Sequence, residues 1–217
     1  HPASFEFRLG GFEVFGGHLA RRLAVEVEAL GALDQRAQVA GAAGVAVQEL
    51  LPDGRHQVTS FYMAGEVLGM DGISAEIHHC DAIALEDSEV CLIPFHELEM
   101  ISVQVPTMQR HLHRVMSREI VRDQGMMMML GAMRAEERVI AFLLNLSQRY
   151  AARGYASTDF NLRMTREEIG SYLGLKLETV SRAFSHLQEE GVLQVEKKHI
   201  RLVDTVRLKK MLSQDRL

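Results

Sequence analysis

The segment from Met164 to Arg201 constrains the fold of this chain most, because its turn residues and apolar spacing suit two short helices followed by a hairpin. The Thr165 hydroxyl can accept from the backbone N–H of Glu168 and so begin the first helix. Gly174 follows that helix, where a positive φ would allow a sharp turn. A second helix is expected to begin near Glu178. The pattern predicts a helix-turn-helix.

The second helix is predicted to have one apolar side and one polar side. Val180, Phe184 and Leu187 recur at spacings of four and three residues, so we expect them to face a core. Leu175 and Leu177 are expected to fill the turn that precedes the helix. The opposite side carries Glu178, Thr179, Ser181, Arg182 and Ser185.

Groups on the polar side can recognise DNA bases. A glutamate at position 178 can accept from the amino group of cytosine or adenine, and Arg182 can donate twice to guanine O6 and N7. The segment VLQVEKKHIRLV then alternates as two short strands, which predicts a wing whose turn contacts phosphates. The candidate DNA-binding residues are Thr165, Glu178, Thr179, Ser181, Arg182, Ser185, Lys197 and Lys198.

An alternative is a ligand-binding module whose helix-turn-helix serves only protein contacts. Glu178 and Arg182 would then form an i,i+4 ion pair on a solvated face. We favour DNA binding, because phosphate repels a surface glutamate that faces DNA unless the glutamate recognises a base. Binding to a DNA duplex that depends on salt concentration distinguishes the two hypotheses.

The segment LGLKLETVSR, with E-x-x-S-R at Glu178, Ser181 and Arg182, resembles the recognition helix of the FNR branch of the Crp/Fnr regulators. The resemblance runs from about Asp53 to Val203 and includes DGRHQVTSFYMAGEVLGMDGI, ALEDSEVCLIPF, MSREIVRDQGMMMMLG and AEERVIAFLLNLSQRYAARG. Residues 1–50 do not share it, and a rearranged or frame-shifted sequence is an alternative there. The resemblance implies a non-enzymatic regulator that binds TTGAT-type palindromes, acts with RNA polymerase and controls oxygen- or redox-responsive genes.

The expected fold is α+β, with an N-terminal β-roll of the cyclic-nucleotide-binding type, a long dimerisation helix and a C-terminal winged helix-turn-helix. The corresponding segments are 1–104, 105–131 and 132–217. Charge is segregated: residues 135–217 hold 14 Lys+Arg against 11 Asp+Glu, whereas residues 1–134 hold 10 against 18. The net charge of −5 therefore hides a mildly basic C-terminal part that suits DNA.

The segment from Val105 to Leu130 predicts the seam of a two-stranded coiled coil. Positions 109, 113, 116, 120, 123, 127 and 130 alternate at spacings of four and three residues. An aspartate on this seam faces its own copy, and two such carboxylates weaken the dimer unless a signal drives pairing. The alternative is a solvated Asp123 just off the seam. The Met126–Met129 run is interpreted as flexible packing rather than a metal site. The candidate interface residues are Met116, Ile120, Asp123, Met127 and Leu130.

The segment from about Val47 to Phe95 predicts short strands with turns at residues 52–54, 64–66 and 71–72. Cyclic-nucleotide-binding relatives place an arginine after the Gly-Glu turn to hold the cyclic phosphate, and the corresponding place here is Cys80-Asp81-Ala82. No arginine lies between Arg55 and Arg110. We therefore do not expect cyclic AMP binding.

Cys91, in the segment VCLIPF, matches the fourth ligand of the [4Fe-4S] cluster in FNR-like proteins. The resemblance places the other three ligands in a cysteine-rich segment near the N-terminus, whereas this sequence has two cysteines and begins with His1. A cluster is expected only if such a segment precedes residue 1, and none is expected for the chain as given. Sequencing upstream of His1 tests this.

The run His78-His79-Cys80 is a weaker candidate for a metal site. Neighbouring residues on a strand point to opposite faces, so at most two of these side chains could bind one ion, and an ordinary loop is the preferred interpretation. No run of eighteen apolar residues and no secretion signal occur, and two cysteines do not suit a secreted disulfide framework. We expect a cytoplasmic protein with no membrane contact.

Overall fold

The computed structural model describes residues 44–74 and 77–213, with the backbone alone for residues 89–92 and 213 and for short strands within residues 8–40. It divides into two compact units, His1–Ile120 and Val121–Leu217. Both contain strands and helices, which confirms the predicted α+β class. No helix among the described residues is long and apolar enough to span a bilayer.

The first unit is built mainly from antiparallel strands. Their bounds are β1 Arg8–Leu9, β2 Phe12–Glu13, β3 Ala24–Val25, β4 Gln35–Ala40, β5 Val45–Leu50, β6 His56–Tyr62, β7 Asp81–Ala84 and β8 Glu89–Pro94. One sheet has the order β3-β7-β5-β6, while β4 pairs with β8 and β1 with β2. Since β5 pairs with β6 and β7, and β7 also pairs with β3, these two strands are the inner strands of the larger sheet.

The turns of this unit follow the sequence predictions. Gly54 and Gly65 have φ values of 82° and 77°, a conformation that glycine adopts without strain. The predicted turn at residues 71–72 lies within a 3₁₀ helix, Met70–Ile73. A small core of Val45, Tyr62, Leu68 and Ala82 holds the larger sheet.

Two helices follow β8. The first, α1, spans Phe95–Gln104 and was not predicted as a separate element. The second, α2, spans Pro106–Ala132, within one residue of the predicted dimerisation helix at each end. Within the first unit, the Tyr62 hydroxyl lies 2.6 Å from Oε1 of Glu119 and so joins the end of β6 to α2.

The second unit is a helix-turn-helix followed by a three-stranded sheet. Its elements are α3 Ala135–Ala152, β9 Asp159–Asn161, α4 Arg166–Leu173, α5 Leu177–Glu189, β10 Leu193–Glu196, β11 His199–Leu202 and α6 Thr205–Ser213. The sheet order is β10-β11-β9, so the predicted wing hairpin gains a strand that the sequence analysis missed. Its fully buried side chains include Ile140, Leu143, Ile169, Leu173, Leu187 and Leu208.

Helix α4 begins and ends at the residues that the sequence predicted. The Thr165 hydroxyl accepts from Glu168 N at 3.1 Å, and Thr165 N donates to the Glu168 carboxylate at 2.6 Å. Gly174 ends α4 with φ 63°. Helix α5 begins at Leu177, one position earlier than expected. The expectation that Leu177 fills the turn is wrong, because the Leu177 side chain is 45% exposed.

The turn between α4 and α5 also depends on a glycine inside α4. Leu175 N donates to Gly170 O at 2.8 Å, which brings the turn back over the helix. A Cβ added to Gly170 would lie 2.6 Å from Leu175 O, which is closer than a methyl group can approach. Backbone proximity therefore requires glycine at this position.

We predict that Gly170→Ala lowers the free energy of unfolding by about 1–3 kcal/mol, because the new methyl group forces the turn away from α4. Urea denaturation followed by circular dichroism measures this change. Gly125→Ala is the matched control, since a Cβ there meets no atom within 4 Å and alanine is the better helix former. Equal stability of Gly170→Ala and the wild type would contradict the prediction.

Candidate nucleic-acid interface

Helix α5 presents one polar side to solvent. Val180, Ala183, Phe184 and Leu187 are buried, as the apolar spacing predicted for three of them. The exposed set Glu178, Ser181, Arg182 and Ser185 is called here the polar face of α5. Thr179, also expected on this side, is half-buried. The helix thus presents two charged and two hydroxyl side chains, a set that can donate to and accept from base edges.

The two charged residues of the polar face do not pair with each other. The Arg182 side chain makes one long hydrogen bond, from Nε to Glu178 O at 3.4 Å. Among the described residues it makes none with the Glu178 carboxylate. The ion pair expected in the protein-contact alternative is therefore not formed. The guanidinium and the carboxylate both remain available to an incoming partner.

Arg166 holds α4 against α5 from the buried side. Its guanidinium carbon lies 3.3 Å from the centre of the Phe184 ring, within the range of a cation–π contact. Burial lowers the pKa of Arg166 to about 10, so the side chain is still charged at neutral pH. The sequence analysis missed this residue, because the contact joins positions 18 residues apart on different helices.

The last turn of α5 is held by neighbouring helices. His186 Nδ1 lies 2.7 Å from a carboxylate oxygen of Glu136 in α3. In α6, Arg207 donates to the Glu190 carbonyl at 2.8 Å and forms an ion pair with the Glu190 carboxylate. These contacts fix the end of α5 opposite the turn, so α5 is positioned at both ends.

The wing is a regular hairpin with a basic turn. Strands β10 and β11 pair from Leu193 with Leu202 to Glu196 with His199. Lys197 and Lys198 form the turn and are exposed, as predicted, and Lys197 has a positive φ of 58°. Two ammonium groups at the tip of a hairpin are suited to phosphate contacts.

Strand β9 supplies a carboxylate to the base of the wing. Asp159 Oδ1 lies 2.5 Å from His199 Nε2, and Arg201 Nε donates to Asp159 Oδ2 at 3.0 Å. The hydrogen bond with His199, followed by that from Arg201, lowers the pKa of Asp159 below its usual value. This carboxylate therefore stays ionised and joins β9 to β11.

Thr165 lies at the start of α4 and is exposed. Its oxygen already accepts from Glu168 N at 3.1 Å, but its own hydrogen is free to rotate. A hydroxyl at a helix N-terminus can therefore cap the helix and still donate to a phosphate.

The candidate dimer residues on α2 differ in exposure. Ile120, Met127 and Leu130 are 57%, 70% and 37% exposed, Asp123 is also exposed, and Met116 is half-buried. Large apolar side chains exposed along one helix suit a partner surface. The carboxylate of Asp123 lies in the middle of that predicted seam.

The first unit contains an apolar cavity of about 250 Å³. Its lining residues are Val67, Met70, Ile73, Ile93, Phe95, Leu98, Met108, His111, Leu112 and Val115. Among these described residues none is an arginine or lysine that could hold a phosphate. Asp81, where a cyclic-nucleotide site would place a cation, begins β7. The lining of this cavity is thus apolar except for His111.

The side chains around Cys80 do not form a metal site. His78 is largely buried with Nδ1 3.1 Å from Asp71 Oδ1, and His79 N donates to Asp71 Oδ2 at 2.9 Å. Burial, followed by repulsion from Asp71 and Glu49, raises the pKa of Cys80 to about 11. In residues 44–74 and 77–213, no group of three or more His, Cys, Asp and Glu residues could hold a metal ion.

Cys91 lies on β8, where its backbone pairs with Gln38, and its side chain lies outside the described part of the chain. A [4Fe-4S] cluster needs four thiolates or equivalent ligands. This chain has two cysteines, and the Cys80 thiol is protonated at neutral pH. The residues of this chain alone therefore do not fit such a cluster, and its absence from the isolated chain stays a prediction.

Comparison with known proteins identifies relatives of both units. Residues 137–211 match the family of the Crp-like helix-turn-helix domain. The transcriptional regulatory protein btr of Bordetella pertussis is 52% identical over 162 residues, 75% of this chain and 67% of that protein. The transcriptional activator protein FnrA of Stutzerimonas stutzeri is 46% identical over 155 residues, 71% of this chain and 64% of that protein. The chain thus spans about two thirds of the length of these relatives.

A solved structure shows the same architecture. FixK2 from Bradyrhizobium japonicum superposes with a TM-score of 0.74 and 34% sequence identity, covering 82% of this chain and 86% of FixK2. The α+β arrangement described above is therefore shared with an experimentally determined relative.

We predict that Cys80 reacts slowly with iodoacetamide while the protein is folded. A pKa near 11 instead of 9 leaves about 100-fold less thiolate between pH 7 and 8.5. Mass spectrometry of the Cys80 peptide at several pH values measures the rate, and the urea-unfolded chain is the control. Equal rates in the folded and unfolded chain would contradict the raised pKa.

Proposed function

The chain belongs to the Crp/Fnr family of transcription regulators, and on that premise we propose that it binds TTGAT-type palindromic DNA as a homodimer. The observation that carries the proposal is the unpaired Glu178 and Arg182 on the polar face of α5. A carboxylate and a guanidinium one helical turn apart can recognise an amino group and a guanine on neighbouring base pairs.

The other exposed groups of the second unit support the same proposal. Thr165, at the start of α4, and the wing residues Lys197 and Lys198 are suited to contact phosphates on either side of α5. Phosphate contacts would set the register of α5 in the major groove, while the polar face supplies sequence preference. Ser181 and Ser185 add hydroxyl groups that can contact a base edge or a phosphate.

Dimerisation is proposed to occur through α2. The exposed side chains of Ile120, Met127 and Leu130 would pair with their copies across a two-fold axis. Two-fold symmetry of the protein would match the two-fold symmetry of a palindrome. Asp123 on the same seam would make pairing conditional, because two facing carboxylates repel each other.

The proposed role is control of oxygen- or redox-responsive genes in the cytoplasm, with RNA polymerase as the protein partner. The support is the FNR-type E-x-x-S-R pattern at Glu178, Ser181 and Arg182 and the VCLIPF segment that contains Cys91. Because this chain does not supply a cluster ligand set, the sensing chemistry would depend on residues outside it.

Fluorescence anisotropy with a labelled TTGAT-N4-ATCAA duplex and a scrambled duplex of equal composition tests the proposal. We expect preference for the palindrome and affinity that falls as salt concentration rises, because phosphate contacts release counterions. Equal, salt-insensitive binding to both duplexes would favour the protein-contact alternative.

Arg182→Ala is predicted to weaken binding to the palindrome by about 1–3 kcal/mol and binding to the scrambled duplex only slightly, because a bidentate guanine contact is lost. Glu178→Ala should relax the preference at one base pair while general affinity remains. Binding to duplexes with single base changes measures both effects. Glu189→Ala is the control, since this exposed glutamate lies in the last turn of the same helix. Equal losses on both duplexes would show that Arg182 contacts only phosphate.

Asp123→Ala is predicted to strengthen the dimer, because it removes two facing carboxylates from the seam. Analytical ultracentrifugation of the variant and the wild type at equal concentrations measures the shift. Gln124→Ala changes the exposed neighbour off the seam and should leave the equilibrium unchanged. A variant no more dimeric than the wild type would mean that Asp123 is solvated in the dimer.

A further inference from the structure

One arginine joins the end of α2 to the end of α4. Arg138, in the first turn of α3, donates from Nη2 to Leu130 O at 2.7 Å and from Nε to Met133 O at 3.0 Å. Its Nη1 donates to Leu173 O at 3.0 Å. Leu130 lies in the last turn of α2, and Leu173 is the last residue of α4. All three carbonyls belong to the second unit.

These carbonyls are a natural target for a cation. The last carbonyls of a helix have no partner within the helix and carry the negative end of its dipole. A guanidinium has several N–H groups in a rigid plane, so it can contact two helix ends in one fixed geometry. A lysine ammonium would keep the charge but not the planar arrangement.

A second contact lies at the same joint. A Cβ built on Gly174 would lie 3.5 Å from Leu130 Cδ2 and 3.6 Å from Arg138 Nη1. The end of α2 therefore lies directly against the turn that leads into α5. The joint between α2 and α4 thus has an apolar contact, from the Leu130 side chain to Gly174, and a polar contact, from the Arg138 guanidinium to carbonyls of both helices.

We propose that Arg138 is a positioning residue that sets the spacing of the two DNA half-sites by fixing the end of α2 against the α4-α5 pair. The inference rests on the proposed function, in which α2 carries the two-fold axis and α5 enters the major groove. Two recognition helices of a dimer must then stand one turn of DNA apart. The joint between α2 and α4 determines that separation within each subunit.

The geometry makes the spacing sensitive to this joint. Helix α5 has 13 residues and so is about 20 Å long. A rotation of about 10° at the joint displaces the middle of α5 by about 1.7 Å, and the two subunits of a symmetric dimer together change the separation by about 3.5 Å, roughly the rise of one base pair. A small change at Arg138 can therefore shift the preferred spacer by one base pair without altering any residue that contacts DNA.

Spacer preference is the measurement that tests this role. The wild type, Arg138→Lys and Arg138→Gln are titrated with TTGAT-N3-ATCAA, TTGAT-N4-ATCAA and TTGAT-N5-ATCAA duplexes, and with a single half-site. At protein concentrations at which ultracentrifugation shows the dimer, we expect the wild type to prefer the N4 duplex. In Arg138→Lys the preference for N4 over N3 and N5 should fall by at least about threefold, because the planar fork is lost. Half-site affinity should stay close to that of the wild type.

Arg153→Lys is the matched control, since Arg153 at the other end of α3 donates to Arg149 O within its own helix, at 2.9 Å. It should retain the wild-type preference. Circular dichroism confirms folding at the assay temperature, and Arg138→Gln provides a second variant. An unchanged N4 preference in both Arg138 variants would overturn this inference alone. A wild type that is dimeric by ultracentrifugation yet prefers neither the palindrome nor any spacer would overturn the proposed function and this inference together.

Discussion

The arrangement of the second unit depends on the packing of α5 through its apolar side. Val180, Phe184 and Leu187 are nearly or fully buried, and burial of each such side chain contributes about 1.5–3 kcal/mol. Because the helix period is fixed, burying this side leaves Glu178 and Arg182 exposed on the other. The packing of the apolar neighbours thus holds the charged residues outward, and the contacts of His186 and Glu190 with α3 and α6 fix the last turn of the helix.

Sequence patterns predict those features of the second unit that depend on residues close together in the sequence. Thr165 and Glu168 cap α4 because they are three residues apart, and Gly174 takes a positive φ that few other residues tolerate. The wing is predicted by the alternation of apolar and polar residues on either side of Lys197 and Lys198. Patterns failed where partners are distant in sequence: β9 completes the sheet through Asp159, which lies 40 residues before His199. No local period encodes such a contact.

The same limit explains which residues around α5 were missed. Arg166 and Arg138 look like ordinary helix-surface residues in the sequence, yet one stacks on Phe184 and the other contacts three carbonyls. Both cations make their contacts within the fold. The mildly positive charge of residues 135–217 therefore overstates the number of cations available to phosphate.

The proposed dimer seam on α2 combines apolar and charged side chains, whose contributions to the free energy of pairing have opposite signs. In the proposed dimer, the exposed Ile120 and Met127 would favour pairing of α2, whereas Asp123 between them would oppose it. Contributions of opposite sign would make the net free energy of pairing smaller than the apolar contacts alone would give, and the smaller it is, the more readily a modest signal shifts the equilibrium. Within the first unit, Glu119 lies one position before Ile120 and accepts from Tyr62 at the end of β6. This hydrogen bond joins the sheet to α2 one residue before the proposed seam position Ile120, so in the proposed dimer a shift of β6 would act on α2 through this contact.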